Sequence, residues 1–191
     1  MNKDILKNFH IPVMGKKAVS YLPKKNTLNV IDATFGGGGY SKLIIDKSEV
    51  SNLISIDRDP IAKKYTHYFK GKKNFKLFEG KFSQIDKLVS EHMNSNKILG
   101  FDAIFFDLGL SSNQLNDSKR GFSIMKNGPL DMRMDSNGIS AYQVVNNFKE
   151  EEISRIIYEY GEERFAKSIA KKIIEHRKKK FIETTYELAS I

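Results

Sequence analysis

Leu28–Gly39 reads LNVIDATFGGGG, and this stretch decides the fold. Leu28 to Ala33 is a short apolar run of the length of a buried strand. Four successive glycines follow, and Tyr40 to Lys47 reads as the start of a helix. Glycines between a strand and a helix let the backbone pass close to a ligand and leave amide N–H groups at a helix N-terminus. Outward from this point the rhythm repeats. Asn52 to Ile56 is a second strand ending in Asp57. Asp59 caps a helix with Pro60 at its first position, running to about Phe69. Phe75 to Phe78 is a third strand, and Ser83 with Asp86 three residues on predicts a capped helix. Phe101 to Phe106 is a fourth strand, ending in Asp107. Strands alternating with helices predict parallel βαβ units, and apolar Ala103 to Phe106 predicts a strand covered on both faces.

The glycine bend narrows the chemistry. A GxGxxG dinucleotide pattern opened at Gly36 needs a glycine where Ser41 stands, and opened at Gly37 it needs one where Lys42 stands. Closed on Gly39, it needs one where Thr34 stands, so the pattern fails. No Gly-Lys-Ser/Thr follows either, which excludes a P-loop. Asp57, 18 residues after Gly39, stands where an acidic side chain accepts hydrogen bonds from both hydroxyls of a ribose. Bend and acid together point to a nucleoside cofactor. Phe82, in Gly80-Lys-Phe82, serves equally as an adenine neighbour or as a core ring. Asp107 lies at a strand tip, where such folds gather catalytic groups.

After Asp107 the pattern changes. Residues 108 to 140 read as a long structured loop punctuated by Gly109, Gly121, Gly128, Pro129 and Gly138. From about Glu150 the pattern is helical, with Phe165, Ile169 and Ile173 recurring on an apolar face opposite a Lys cluster. A last helix begins near Thr184 or Thr185. The 191 residues carry a net charge of +9. Residues 1 to 100 hold 18 basic and nine acidic side chains, whereas the remainder holds 14 of each. A basic balance favours polyanionic partners, although 26 Lys against six Arg is also what an A- and T-rich genome produces. The absence of cysteine excludes disulfides and thiolate metal sites, and no His cluster stands in for them. No apolar run is long enough for a membrane span and the N-terminus is not a signal peptide, so a cytoplasmic location is expected.

Seven strings stand in order: His10-Ile-Pro-Val13, Asp32-Ala-Thr-Phe-Gly-Gly-Gly-Gly39, Ile56-Asp-Arg-Asp-Pro60, Asp107-Leu-Gly-Leu-Ser-Ser-Asn-Gln114, Arg120-Gly-Phe-Ser123, Gly128-Pro-Leu-Asp-Met-Arg-Met-Asp135 and Tyr160-Gly-Glu-Glu-Arg-Phe-Ala166. Together they closely resemble the bacterial small-subunit (16S) rRNA cytosine-N4 methyltransferases, from about His10 to Ala189. The resemblance implies an α/β fold: a Rossmann-like, class I S-adenosylmethionine-dependent methyltransferase sheet with a helical substrate-recognition insertion after strand four. Residues 1–107 would be the N-terminal part of the cofactor domain and 108–191 the insertion, with the sheet left incomplete by a C-terminal truncation. It implies S-adenosyl-L-methionine as cofactor, contacted by Gly38, Gly39, position 40, Asp57, Phe82, Asp107 and Gln114. It implies as acceptor the N4 amine of a cytidine in the decoding region of 16S rRNA, within the small ribosomal subunit.

Two departures stand out. The family loop usually ends Gly-Gly-His and here ends Gly39-Tyr40, and an acidic residue usual after Pro12-Val13 is replaced by Met14-Gly-Lys-Lys17. A tyrosine still stacks or donates one hydrogen bond. Asp107 is expected to orient the acceptor amine or to hold the methionine amine of the cofactor, and sequence does not separate the two. Arg120, Arg133 and Arg164, with the Lys167 to Lys180 face, are candidates to grip phosphates. For each Arg the alternative is an internal salt bridge. No metal is expected, and a homo-oligomer is left open. The competing readings are a methyltransferase with another acceptor, and a chain that binds cofactor or RNA without turnover.

Overall fold

The computed structural model describes residues 12–191, so His10 and Ile11 of the first motif lie outside the described residues. The chain divides into two compact units, one reaching Ser112 and one running from Asn113 to Ile191. The first unit opens with the short helix α1 (Gly15–Val19) and then builds a sheet from β1 (Leu28–Asp32), β2 (Val50–Asp57), β3 (Phe75–Glu79) and β4 (Ala103–Phe105). All pairings are parallel, in the order β3-β2-β1-β4. Helix α2 (Gly39–Lys47) joins β1 to β2, a 3-10 helix (Pro60–Phe69) joins β2 to β3, and α3 (Ile85–Ser95) precedes β4.

Two apolar layers sandwich the sheet. Leu28, Val30 and Leu53 pack with Val19 and Ile44 on one face, while Ile31, Ile54 and Ile56 meet Val89 on the other. This alternation follows from the two-residue period of strand side chains. As its sequence predicts, Asp59 caps the helix after β2, accepting from the Ile61 N–H at 3.1 Å with Pro60 in the first turn. Two expectations are corrected here. A 3-10 turn (Phe82–Gln84) absorbs Ser83, and α3 begins at Ile85 behind Gln84 with no side-chain cap. And β4 is not covered on both faces: Ile104 is 48% and Phe106 51% exposed. The reason lies in the strand order. Strand β4 pairs with β1 alone, and the α3 layer buries Ile31 while leaving its register partner Ile104 at the rim.

The second unit is helical: α4 (Ser112–Asn116), which begins at the division, then α5 (Ala141–Asn147), α6 (Glu150–Gly161), α7 (Ala166–Arg177) and α8 (Thr185–Ala189). Glu150, Glu151 and Glu152 fill the first turn of α6, where the helix dipole favours negative charge. Thr184 and Glu187 cap α8 reciprocally. The core joins Leu130, Val145, Ile153, Ala170, Ile173 and Ile182. Phe165 departs from its expected place: it is the N-cap of α7 and 71% exposed, and Ala166, Ala170 and Ile173 form the buried stripe instead. Buried Asn146 pairs with the Ile182 backbone in both directions, donating to its carbonyl at 2.8 Å and accepting from its N–H at 3.0 Å. Gly128 is needed for close approach, since a Cβ there would stand 1.8 Å from the Ser118 carbonyl oxygen.

Candidate functional site

The chain builds β1, β2 and β3 outward in sequence, then crosses back to lay β4 on the far side of β1. The strand order therefore reverses between β1 and β4. In open parallel sheets a ligand binds outside the carboxyl ends of the strands at such a reversal. The glycine bend leaves β1 at this point and Asp107 follows β4.

The bend is shaped by backbone that only glycine adopts freely. Gly36 has φ +53° and Gly38 φ +81°, and a Cβ on Gly38 would also meet the buried Phe35 ring at 2.9 Å. Gly38 is the N-cap of α2, whose first turn carries no acidic side chain. The first N–H groups of a helix have no acceptor within it, so this end favours an electron-rich ligand group. Hydrogen bonds tie the bend to both aspartates. The Gly36 N–H donates to Asp57 Oδ2 at 2.6 Å and the Asp59 N–H donates to Asp57 Oδ1 at 2.8 Å. The Asp107 N–H donates to Thr34 Oγ1 at 2.7 Å. Backbone donors from Gly36, Arg58 and Asp59 hold the Asp57 carboxylate in place, and a carboxylate with about four acceptor positions has room for a ligand hydroxyl beside them. Burial pushes the Asp57 carboxyl up, with the Asp59 charge adding to it and the backbone donors pulling back. Asp107 is exposed.

Phe82 follows β3, is 42% exposed, and meets Phe106 edge-to-face at 5.6 Å between ring centres. It is therefore no core ring. The Tyr40 side chain is engaged within the protein. Its hydroxyl donates to the Val13 carbonyl at 2.6 Å, and its ring lies 5.8 Å from that of Phe105. What remains at position 40 for a ligand is the backbone N–H in the first turn of α2.

A family model described as the MraW methylase family matches residues 7–191. The chain belongs to the MraW methylase family. It is 47% identical to a ribosomal RNA small subunit methyltransferase H of Caldicellulosiruptor bescii, 44% identical to one of a Wolbachia from Drosophila simulans and 45% identical to one of Ehrlichia canis. Each match covers 95% of this chain but only 59% to 61% of the relative, so the chain spans about three-fifths of the length of the curated relatives it matches.

In this MraW-family chain the strings of the second unit fold into scaffolding. Arg120 donates to the carbonyls of Arg133 and Met134 at 2.9 and 3.0 Å. Arg133 chelates Asp131, with Nη2 at 2.6 Å from Oδ2 and Nε at 3.1 Å from Oδ1. This is the internal pairing that stood as the alternative to phosphate contact, and it holds the Asp131–Asp135 loop in shape. Arg164 is exposed at the α6–α7 connection. Gln114, in α4, is 7% exposed. Among the described residues no His, Asp or Glu cluster could hold a metal ion, and no helix is long and apolar enough to cross a membrane.

The sequence alone does not single out Asp32 within its motif. Asp32 is fully buried beneath the bend, accepts from Ser41 Oγ at 2.6 Å, and Ser41 in turn pairs with Ser55 Oγ at 2.7 Å. These bonds fasten the end of β1 to the first turn of α2. The available signal was polar Ser55 inside the apolar run Leu53–Ile56. Desolvation raises the Asp32 carboxyl from 3.8 to about 6, against the Ser41 and Thr34 hydrogen bonds. The folded state therefore binds this proton more tightly than the unfolded one, and stability falls as pH rises from about 4 through 6. We expect Asp32→Asn, compared with the native chain by urea unfolding, to be relatively more stable at pH 7 than at pH 4.5 by about 2 kcal/mol. An equal difference at both pH values would show that Asp32 is not the titrating group.

Proposed function

We propose that this chain holds the methyl-donor site and the substrate-recognition helices of an enzyme that transfers a methyl group from S-adenosylmethionine to the N4 amine of a cytidine in the decoding region of 16S rRNA. The observation that carries this reading is the pair of bonds joining Gly36 to Asp57 and Asp107 to Thr34. They set one glycine bend and two aspartates together at the reversal point of a parallel sheet. The names of the relatives, all small-subunit rRNA methyltransferases, support the acceptor class.

The residues fit the cofactor. Asp57 would accept from its ribose hydroxyls, and the backbone of Gly38, Gly39 and Tyr40 would line its path. The exposed edge-to-face pair of Phe82 and Phe106 offers apolar rings to an adenine. When bound, the sulfonium supplies an electrophilic methyl group. What the protein must add is alignment at near-attack distance. Asp107, exposed at a strand tip with its backbone pinned to Thr34, would accept a hydrogen from the N4 amine and so localise the nitrogen lone pair. A base inside a helix is out of reach, so the acceptor is read as an unstacked nucleotide of the small subunit, and a cytoplasmic enzyme is the reading that goes with that substrate. Titration calorimetry with S-adenosylmethionine tests the site in this chain, with binding expected. Transfer of labelled methyl to small ribosomal subunits, by an enzyme of its relatives' full length, tests the acceptor. Absence of binding, or transfer only to small molecules, would overturn the corresponding half of the proposal.

A further inference from the structure

Helix α6 and the start of α7 enclose a groove of about 660 Å³, within the size range of sites for small ligands. Two aromatic rings line it, Tyr158 at 63% and Phe165 at 71% exposure. Three cations, Arg155, Arg164 and Lys167, line it with them, and among the described residues none forms an ion pair with any of the three. The core of the second unit uses neither ring. Two large rings left in water beside uncommitted cations are explained by a ligand that offers a flat apolar face and a negative charge at once.

We propose that this groove is a stacking slot for an unpaired nucleotide of RNA, with Tyr158 and Phe165 taking the base and Arg155, Arg164 and Lys167 taking the adjoining phosphates. The proposal rests on the rRNA reading above and adds to it a contact that the Arg120–Arg133 loop does not supply. Single-stranded RNA is held by stacking of its bases on aromatic or guanidinium planes together with cations along the backbone. The charge pattern specifies the orientation. Glu150 and Glu151 line the same groove and repel phosphate, so the backbone runs on the Arg164 and Lys167 side. Exposed Lys171, one turn further along α7 from Lys167, continues that cationic side.

The test uses this chain, a fluorescein-labelled single-stranded RNA oligonucleotide, and the same oligonucleotide with abasic positions, read by fluorescence anisotropy. Phe165→Ala and Tyr158→Ala are each expected to weaken binding of the base-bearing RNA about 10-fold and to leave binding of the abasic one unchanged. Both rings are more than half exposed, so the variants should keep the native unfolding midpoint. Arg164→Ala is expected to weaken both RNAs and to lower the salt dependence by about one ion. Ring variants that bind base-bearing RNA as the native chain does, or a native chain that binds neither RNA at low salt, overturn the proposal. So does sedimentation showing self-association that Phe165→Ala abolishes, since a second copy would then cover the rings. The two readings fail separately: loss of S-adenosylmethionine binding with ring-dependent RNA binding intact sinks the donor site alone, and the converse sinks the groove alone.

Discussion

Asp57→Ala is expected to raise the dissociation constant for S-adenosylmethionine by about 100-fold or more in titration calorimetry, because two charge-assisted hydrogen bonds to a ribose disappear together. The effect has a second source in this protein. The Asp57 carboxylate is also the acceptor for the Gly36 and Asp59 N–H groups, so its removal orphans donors that shape the glycine bend. Asp57→Asn is the milder change, although its NH2 must face one of the two backbone donors that the carboxylate accepts from. The amide keeps the volume and one acceptor oxygen while losing the charge, and a loss of about 10-fold is expected. The order native, Asn, Ala is the diagnostic result. Because burial raises the Asp57 carboxyl, its ionised form is lost at a higher pH than that of an ordinary aspartate as the solution is acidified. Native affinity should therefore drop in mild acid, and the Asn variant should lack that drop. An Ala variant that binds as tightly as the native chain would remove Asp57 from the ribose.

The contrast between these aspartates and the rest of the site shows what sequence carries. Asp57 was legible because three local signals coincide: an apolar run, its end, and a fixed distance from a glycine cluster. The central strands were legible for the same reason, since Val30–Asp32 of β1 and Leu53–Ile56 of β2 are buried and mostly apolar. Strand β4 has the same kind of run yet lies at an edge, and no local pattern distinguishes an edge from a centre. Asp32 was not legible, because its partner Ser41 is nine residues away and is held in turn by Ser55 of the neighbouring strand, so the three meet only when β1 pairs with β2 and α2 folds back on the sheet.

The arginines teach a related point. Arg120 and Arg133 lie in strings that look built for RNA, and the structure turns both inward onto backbone carbonyls and Asp131. Their guanidinium groups satisfy a loop whose strained residues, Met132 at φ +56° and Ser136 at φ +59°, need fixed partners. Arg164 occupies a string of equal prominence and stays exposed. Sequence gives all three the same weight; only the fold shows which charge is already committed.

That distinction governs the expected behaviour of Asp107, exposed at the tip of an edge strand. In an enzyme of its relatives' full length, Asp107→Ala is expected to lower kcat for methyl transfer to small ribosomal subunits by about 100-fold or more, the range for removing a preorganised group that meets charge developing in the transition state. The split between kcat and cofactor affinity decides how it acts. If the carboxylate accepts the N4 hydrogen of the acceptor, kcat collapses while the dissociation constant of S-adenosylmethionine stays near the native value. If it holds the methionine amine of the cofactor, affinity falls with the rate. The backbone contact survives either change, because the Asp107 N–H and not its side chain bonds to Thr34, so the bend should keep its shape and the comparison stays clean. Near-native turnover in the variant would mean that no step of the transfer depends on this carboxylate, and the acceptor amine would need a different partner.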